Sequence, residues 1–257
     1  MINLISLDPT IVIRTTPIPP VIWFEQNGII FQDLKYDRFD EAIEFLKENY
    51  IPFDTLCRSV NMVDHIDLIE EFCEAIRFLL KNDCSIIAVE KATNQIVGIV
   101  VMTIMRQEHR SWLFWAFLVN RSAVTKKIFG FQCNIMLEYL NRNRTAIVDV
   151  SLHISIVTIA RRMKGKLFKE DIILQAAKSA RSVGANSISY IATSNNDIER
   201  ARRVGFKEVE LRTYNTYMDE NGNAVLSNVP AGENCSIIFL NCVGPKANTS
   251  IASILYT

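Results

Sequence analysis

The sequence has no excess of charge of either sign and no long apolar run. Lysine plus arginine and aspartate plus glutamate both total 28, so the formal net charge of the 257 residues is +0. A nucleic-acid-binding surface needs a basic face or stripe, and the one basic cluster, residues 161–169, is too short for a duplex. The charge balance therefore predicts neither nucleic acid nor another polyanion as a partner.

Paired cysteines, a signal peptide and a membrane span are also missing. The 6 cysteines include no CxxC pair and are interpreted as buried free thiols. The N-terminus lacks the basic start and apolar core of a signal peptide. The longest apolar run, residues 96–105, suits a buried strand and is far shorter than the ~20 residues that cross a bilayer. We expect a cytoplasmic monomer with no membrane partner.

Apolar segments alternate between helical and strand-like patterns, with no internal repeat. Although the length permits two small domains, the simplest interpretation is a Pro-rich extended arm over residues 1–29 and one α/β (α+β) domain over residues 30–257. Apolar stripes predict helices near residues 37–46, 69–80, 124–140, 172–183 and 195–204. Strands are predicted over residues 30–34, 85–90, 95–105, 145–159, 187–193, 208–214 and 236–242. Because a helix connects 145–159 to 187–193, these two strands should be parallel in a mixed sheet.

A basic loop containing one glycine joins the long strand 145–159 to the next helix. Its sequence is Arg162-Met163-Lys164-Gly165-Lys166-Leu167. Exposed amide groups and a helix N-terminus at such a junction attract anions, and the two lysines add positive charge. The same pattern also fits an ordinary turn. The residues alone therefore permit either a phosphate site or a simple turn.

The order of elements around this loop resembles the GNAT superfamily of acyl-CoA N-acyltransferases. Arg162 and Gly165 match the family's Q/R-x-x-G-x-G/A loop, which binds the pyrophosphate of acetyl-CoA, whereas Leu167 stands at the last Gly or Ala. A branched side chain there is expected to crowd an approaching phosphate. Asn196 and Gly205-Phe206 resemble the family's N-x-x-A…G-F block. The resemblance covers residues 30–243 and implies the GNAT fold, a mixed central sheet flanked by helices. The acetyl-CoA-binding residues that it implies are Ile156, Val157, Arg162, Met163, Lys164, Gly165, Lys166, Leu167 and Asn196.

A closer resemblance involves the segment after the first predicted helix. Glu48-Asn-Tyr-Ile-Pro-Phe-Asp-Thr-Leu56 is similar to the E-N-F-F-x-D-E-P-L segment of insect arylalkylamine N-acetyltransferases. Asp54 falls where their catalytic glutamate stands, while Thr55 replaces a proline and Phe53 an acidic residue. Residues 230–239 resemble their P-H-x-x-I-Q-V-M strand, without its histidine. The resemblance implies transfer of acetyl from acetyl-CoA to an arylalkylamine such as dopamine, tyramine, octopamine or serotonin, by direct attack in a ternary complex.

This chemistry needs a base, an oxyanion donor and a proton for the leaving thiolate. An amine with a pKa near 10 is mostly protonated at neutral pH, so only about one molecule in a thousand is nucleophilic without a base. Asp54 would remove the proton through water, and a backbone N–H near Ile156 or Val157 would stabilise the oxyanion. The resemblance places proton return at Thr193 and Asp197. The alternative for both aspartates is a capping or surface carboxylate.

Other residues leave further interpretations open. His153 is a second candidate base, although a strand histidine is more often packed and hydrogen-bonded. The 3 histidines, which include His65 and His109, are widely separated and predict no metal site. The aromatic segment 112–117 either lines a substrate tunnel or belongs to the core. Two further functions fit the sequence: a GNAT-fold protein that binds CoA or an amine without turnover, and an acyltransferase for longer acyl donors or non-aromatic amines such as agmatine.

Overall fold

The computed structural model describes residues 19–106, 122–142, 150–226 and 228–241. These residues form one eight-stranded sheet flanked by helices. The strands are β1 (Ile22–Gln26), β2 (Ile29–Asp33), β3 (Ile86–Glu90), β4 (Gln95–Arg106), β5 (Val150–Ile159), β6 (Ser187–Ala192), β7 (Lys207–Thr213) and β8 (Asn234–Asn241). The helices are α1 (Phe39–Asn49), α2 (Thr55–Ser59), α3 (Ile66–Leu80), α4 (Ala123–Arg142), α5 (Lys169–Ser182) and α6 (Asn195–Arg203).

The strand order in the sheet is β1-β2-β3-β4-β5-β6-β8-β7. Neighbouring strands are antiparallel except for β5 and β6, which are parallel. A parallel pair requires a crossover, and α5 supplies it between these two strands. The structure confirms the mixed sheet that the sequence predicts.

The start of the sheet differs from the predicted boundary at residue 30. β1 pairs with β2 through a turn in which Asn27 and Gly28 adopt φ of 52° and 73°. The predicted arm therefore includes a strand of the sheet. β1 was not predicted because it is an edge strand with no alternation of buried and exposed residues. Its apolar residues Ile22 and Phe24 remain 59% and 37% exposed. Residues 1–18 of the arm lie outside the described residues.

The amphipathic helices bury most of the residues in the stripes that the sequence predicts. In α1 the buried residues include Ala42, Ile43 and Leu46, and α1 packs with α3 against β4. α5 packs against β3, β4 and β5, and it contacts α6. Among the described helices, none is both long and apolar enough to cross a membrane. The cysteines Cys57, Cys73, Cys84, Cys133 and Cys235 are buried and unbridged.

The two parallel strands in the middle of the sheet pair over only part of their length. Residues Ser151 to Ile154 of β5 pair with Ser187 to Tyr190 of β6, and the pairing stops there. β5 continues to Ile159, whereas the end of β6 stays paired with β8. Beyond Ile154, the described part of the chain therefore supplies no β6 partner to this edge of β5.

Candidate active site

Asp54 is held at the start of α2 by the turn that follows α1. Its Oδ1 accepts hydrogen bonds from the backbone N–H groups of Leu56 and Cys57, each at 3.0 Å. The free N–H groups of a first helical turn need such an acceptor, so Asp54 is an N-cap. The Thr158 hydroxyl donates to the Asn49 carbonyl at 2.7 Å and ties the end of α1 to β5. The geometry thus shows the capping arrangement that the sequence offered as the alternative to catalysis.

The second oxygen of Asp54 reaches the end of β6. Oδ2 accepts a hydrogen bond of 2.7 Å from the Thr193 hydroxyl, and both residues are buried. Tyr214 in turn donates its phenol proton to the Thr193 carbonyl at 2.6 Å. Thr193 directly follows β6, so this chain of bonds places the Asp54 carboxylate where β5 and β6 have separated. Two predicted site residues, 139 positions apart, are thereby in contact.

A β-bulge interrupts β5 at the same level. Ile154 pairs with Met102 and Ile156 with Val101, which leaves Ser155 without a register partner on β4. A bulge redirects the side chain and backbone of the extra residue. Ile156 and Val157, predicted to supply the oxyanion donor, lie on the part of β5 that β6 no longer covers. Sequence reasoning missed Ser155, because a serine within a strand-like run carries no signal of a bulge.

A small cavity of about 20 Å³ adjoins Asp54, Ser155 and Ile156. One wall is a stack of rings, with centroids 6.2 Å apart between Tyr50 and Phe72 and 5.9 Å apart between Phe72 and Phe129. Burial, followed by the nearby Asp54 carboxylate, raises the pKa of Tyr50 well above its usual value. The remaining described lining residues are Leu56, Cys57, Ile76, Leu79, Ile128 and Gln132.

The basic loop is fixed to the sheet by a second bulge. Val97 of β4 has no register partner on β3, and its carbonyl accepts the Ala160 N–H at 2.8 Å. A 3-10 turn, Arg161–Met163, follows, and the Met163 carbonyl accepts the Lys166 N–H at 2.9 Å. Gly165 has φ of 84°, a left-handed conformation that side-chain-bearing residues rarely adopt. The predicted loop therefore needs its glycine for backbone conformation.

Leu167 does not crowd this loop as its sequence position suggested. Its side chain is 1% exposed and packs inward against Gly98 of β4. A Cβ added at Gly98 would lie 3.3 Å from Leu167 Cδ2. The chain direction at Leu167 points its side chain into the core, which argues against the expected clash with phosphate.

The charged groups at the loop are partly engaged by the protein itself. The Arg162 guanidinium donates to Glu90 Oε2 at 2.9 Å and to Gln95 Oε1 at 3.2 Å. The hydrogen bond from Arg162 lowers the pKa of Glu90 below its ordinary value. Lys164 and Lys166 are exposed. The two lysines are thus the cations that the loop presents most openly to an anionic ligand.

Asp197 and Asn196 lie in the first turn of α6. The Asp197 N–H donates to the Ser194 hydroxyl at 3.1 Å, which makes Ser194 the N-cap. The Asp197 carboxylate forms an ion pair of 2.7 Å with Lys169, the first residue of α5. Asn196 is exposed and accepts a hydrogen bond from Arg200. Lys169 was not foreseen, because its pairing joins helix ends that are distant in sequence.

His153 is a core residue. It is 0% exposed, and its Nδ1 lies 2.9 Å from the Ser189 hydroxyl. Burial lowers the pKa of His153 to about 3. Its predicted role as a packed, hydrogen-bonded histidine is therefore the one that the structure supports. His109 and the aromatic segment 112–117 lie outside the described residues.

The sheet, its split parallel pair and the flanking helices form the GNAT fold, as the sequence predicted. Arylalkylamine N-acetyltransferase 2 from Aedes aegypti has a similar structure, with a TM-score of 0.72 and 22% identity over 84% of this chain and 100% of that chain. A putative arylalkylamine N-acetyltransferase 7 from the same mosquito gives a TM-score of 0.75 and 18% identity, covering 90% of this chain and 99% of that one.

A third similar structure is the Drosophila melanogaster polyamine N-acetyltransferase, an enzyme that catalyses the formation of N-acetylagmatine. Its TM-score is 0.69 and its identity 18%, over 83% of this chain and 99% of that chain. Neither a family model nor a curated protein matches the sequence. At these identities the likeness establishes the fold, and the activity has to be argued from the site.

Proposed function

We propose that the protein is an N-acetyltransferase that moves acetyl from acetyl-CoA to the primary amine of an arylalkylamine. The observation that carries the proposal is the Asp54 carboxylate at the opening between β5 and β6, hydrogen-bonded to Thr193. A base at this position stands next to the edge of β5 that β6 does not cover, and β5 leads directly into the basic loop before α5. A base, an oxyanion donor and a site for the CoA phosphates are the three features that acetyl transfer from acetyl-CoA to an amine uses.

The donor site is composed of the basic loop and the open edge of β5. Lys164 and Lys166 are exposed at the loop, and the left-handed Gly165 leaves its surface free of a Cβ. These features suit the pyrophosphate of acetyl-CoA. The bulged edge at Ile156 and Val157 suits the thioester end, because backbone N–H groups there can stabilise an oxyanion.

The reaction proposed is direct attack within a ternary complex. Asp54 takes a proton from the substrate ammonium through water, which frees the nitrogen lone pair. The nitrogen forms a bond to the thioester carbonyl carbon, and the C–S bond breaks as the oxyanion collapses. The nitrogen loses its second proton, the CoA thiolate accepts one, and the products are the N-acetyl amine and CoA.

The resemblance to the GNAT superfamily implies that Thr193 and Asp197 supply the proton to the CoA thiolate. Thr193 carries the hydroxyl that already donates to Asp54, so it can relay a proton between the carboxylate and the thiolate. The Asp197 carboxylate is engaged by Lys169. We therefore propose the relay role for Thr193 and an anchoring role for Asp197, which joins the first turns of α5 and α6.

The acceptor class is proposed from the resemblance of residues 48–56 to insect arylalkylamine N-acetyltransferases and from the groups around Asp54. The described residues that line the cavity beside Asp54 are mostly apolar or aromatic, and Asp54 is the one carboxylate among them. The cavity of about 20 Å³ is too small to hold the acceptor, so these residues surround the base and do not form the acceptor pocket. The second ammonium group of a polyamine would find no further carboxylate in this described lining, which favours an aromatic acceptor over agmatine or a polyamine.

One observation favours a second function, binding of CoA or an amine without turnover. The Asp54 carboxylate already accepts three hydrogen bonds, from Leu56, Cys57 and Thr193, as a purely structural cap would. In that case acetyl-CoA binds and no amine is consumed. The two functions are separated by turnover, not by affinity.

Calorimetric titration with acetyl-CoA is the first test. We expect binding in the micromolar range that is lost when Arg162 and Lys164 are both changed to alanine. An amine screen follows, with Asp54→Asn as the matched variant, because asparagine retains the N-cap and removes the charge. That variant should keep acetyl-CoA affinity and lose about 10²- to 10⁴-fold in kcat. Absence of binding at millimolar acetyl-CoA by folded protein would refute the acetyltransferase proposal.

A further inference from the structure

The cavity beside Asp54 has the size and polarity of a single-water site. Its volume of about 20 Å³ exceeds the roughly 10–15 Å³ that one water requires, and it is far too small for an amine substrate. The Ser155 hydroxyl, which lines it, is buried and has no hydrogen-bond partner among the described residues. A buried hydroxyl left unpaired is costly, so a polar occupant is expected there.

The other polar groups lining the cavity provide what a buried water needs. Asp54 supplies an acceptor, and Tyr50 and Gln132 supply further polar side chains. Buried waters typically make two to four hydrogen bonds, which these groups can satisfy. The bulge at Ser155 explains why this hydroxyl is placed at the cavity.

We propose that Ser155 is a positioning residue that holds a water between the substrate amine and the Asp54 carboxylate. The inference rests on the proposed function. One proton of the ammonium passes to the water oxygen while a proton of that water passes to Asp54, so charge and atoms balance. Ser155 itself neither gains nor loses a proton overall. Asp54 already accepts hydrogen bonds as a helix cap. The water allows its carboxylate to act as a base as well.

The groups around Asp54 are consistent with the carboxylate as the proton acceptor. The phenols and thiols that interact with it belong to Tyr50, Cys57, Tyr190, Tyr214 and Cys235. Burial raises the pKa of each of them, so they stay neutral near pH 7.

The test compares amines of different basicity in Ser155→Ala. Phenethylamine is mostly protonated near pH 8 and needs the relay, whereas its 2,2-difluoro analogue is largely neutral there and does not. We expect kcat for phenethylamine to fall about 10- to 100-fold, a fraction of the full contribution of a general base, and kcat for the analogue to fall less than about threefold. Acetyl-CoA affinity should not change. Ser155→Thr, which retains a hydroxyl, should restore most of the activity.

Ser151→Ala is the matched control, because Ser151 is a buried serine on the same strand that does not line the cavity. An equal loss for both amines, or no loss in Ser155→Ala, would overturn the relay. A high-resolution crystal structure should show a water bonded to Ser155 Oγ that disappears in Ser155→Val, and its absence from the wild type would also overturn the proposal. If neither amine is acetylated by wild-type protein, the relay and the acetyltransferase proposal both fail, and the electron density still decides whether the water site exists.

Discussion

Truncation of Leu167 should destabilise the protein and leave acetyl-CoA binding unimproved. Leu167 is 1% exposed, and leucine-to-alanine changes at such sites cost about 2–5 kcal/mol in the free energy of unfolding. Its methyl group Cδ2 occupies the space beside Gly98, at 3.3 Å from the position of an added Cβ. The change Leu167→Ala therefore removes core contacts and exposes nothing new to phosphate.

A double-mutant cycle makes the argument quantitative. Gly98→Ala alone places a methyl group 3.3 Å from Leu167, Ala88 and Ile159, and overpacking of this kind costs about 1–3 kcal/mol. In the double variant Leu167→Ala relieves one of these three contacts, so the combined loss should be smaller than the sum by about 0.5–1.5 kcal/mol. Urea unfolding followed by circular dichroism measures each step.

A loss of less than about 1 kcal/mol in the unfolding free energy of Leu167→Ala, or additivity of the two changes, would contradict the packing of Leu167 against Gly98. Tighter binding of acetyl-CoA by Leu167→Ala than by the wild type in calorimetry would contradict it as well. That result would restore the interpretation in which the side chain obstructs the phosphate loop.

Two further predictions concern ionisable groups. Burial lowers the pKa of His153 to about 3, so below about pH 6.5 the unfolded chain binds a proton that the folded state excludes, and stability falls with falling pH. Between pH 7 and pH 5 this residue should lower the free energy of unfolding by about 2 kcal/mol. The variant His153→Gln should remove this loss, whereas the control His65→Gln, at an exposed site, should retain it. Glu90→Gln should tighten acetyl-CoA binding by about two- to fivefold in calorimetry, because it frees Arg162 from an ion pair that competes with phosphate. Unchanged affinity would show that Arg162 does not reach the ligand.

Local patterns account for most of the elements. The spacing of Ala42, Ile43 and Leu46 predicts one buried face of α1, and the β-branched run ending at Ile159 predicts a buried strand. The helix between β5 and β6 implies their parallel pairing, since the connection needs a crossover. The basic loop and its glycine can also be predicted from the sequence, because the residues of a strand-to-helix junction are neighbours along the chain.

The arrangement of the candidate site depends on contacts between segments that are far apart in sequence. The bond between Asp54 and Thr193 spans 139 positions and the pairing of Arg162 with Glu90 spans 72, distances over which periodicity carries no information. The bulge at Ser155 exists only in relation to the register of β4, and one residue of register shift reverses the face to which a side chain points. The inward direction of Leu167 was decided in the same way, by the packing of its loop on Gly98. Residue types indicate the kind of chemistry, because charge and size are properties of each side chain. Which atoms come into contact depends on the packing energy of the whole chain.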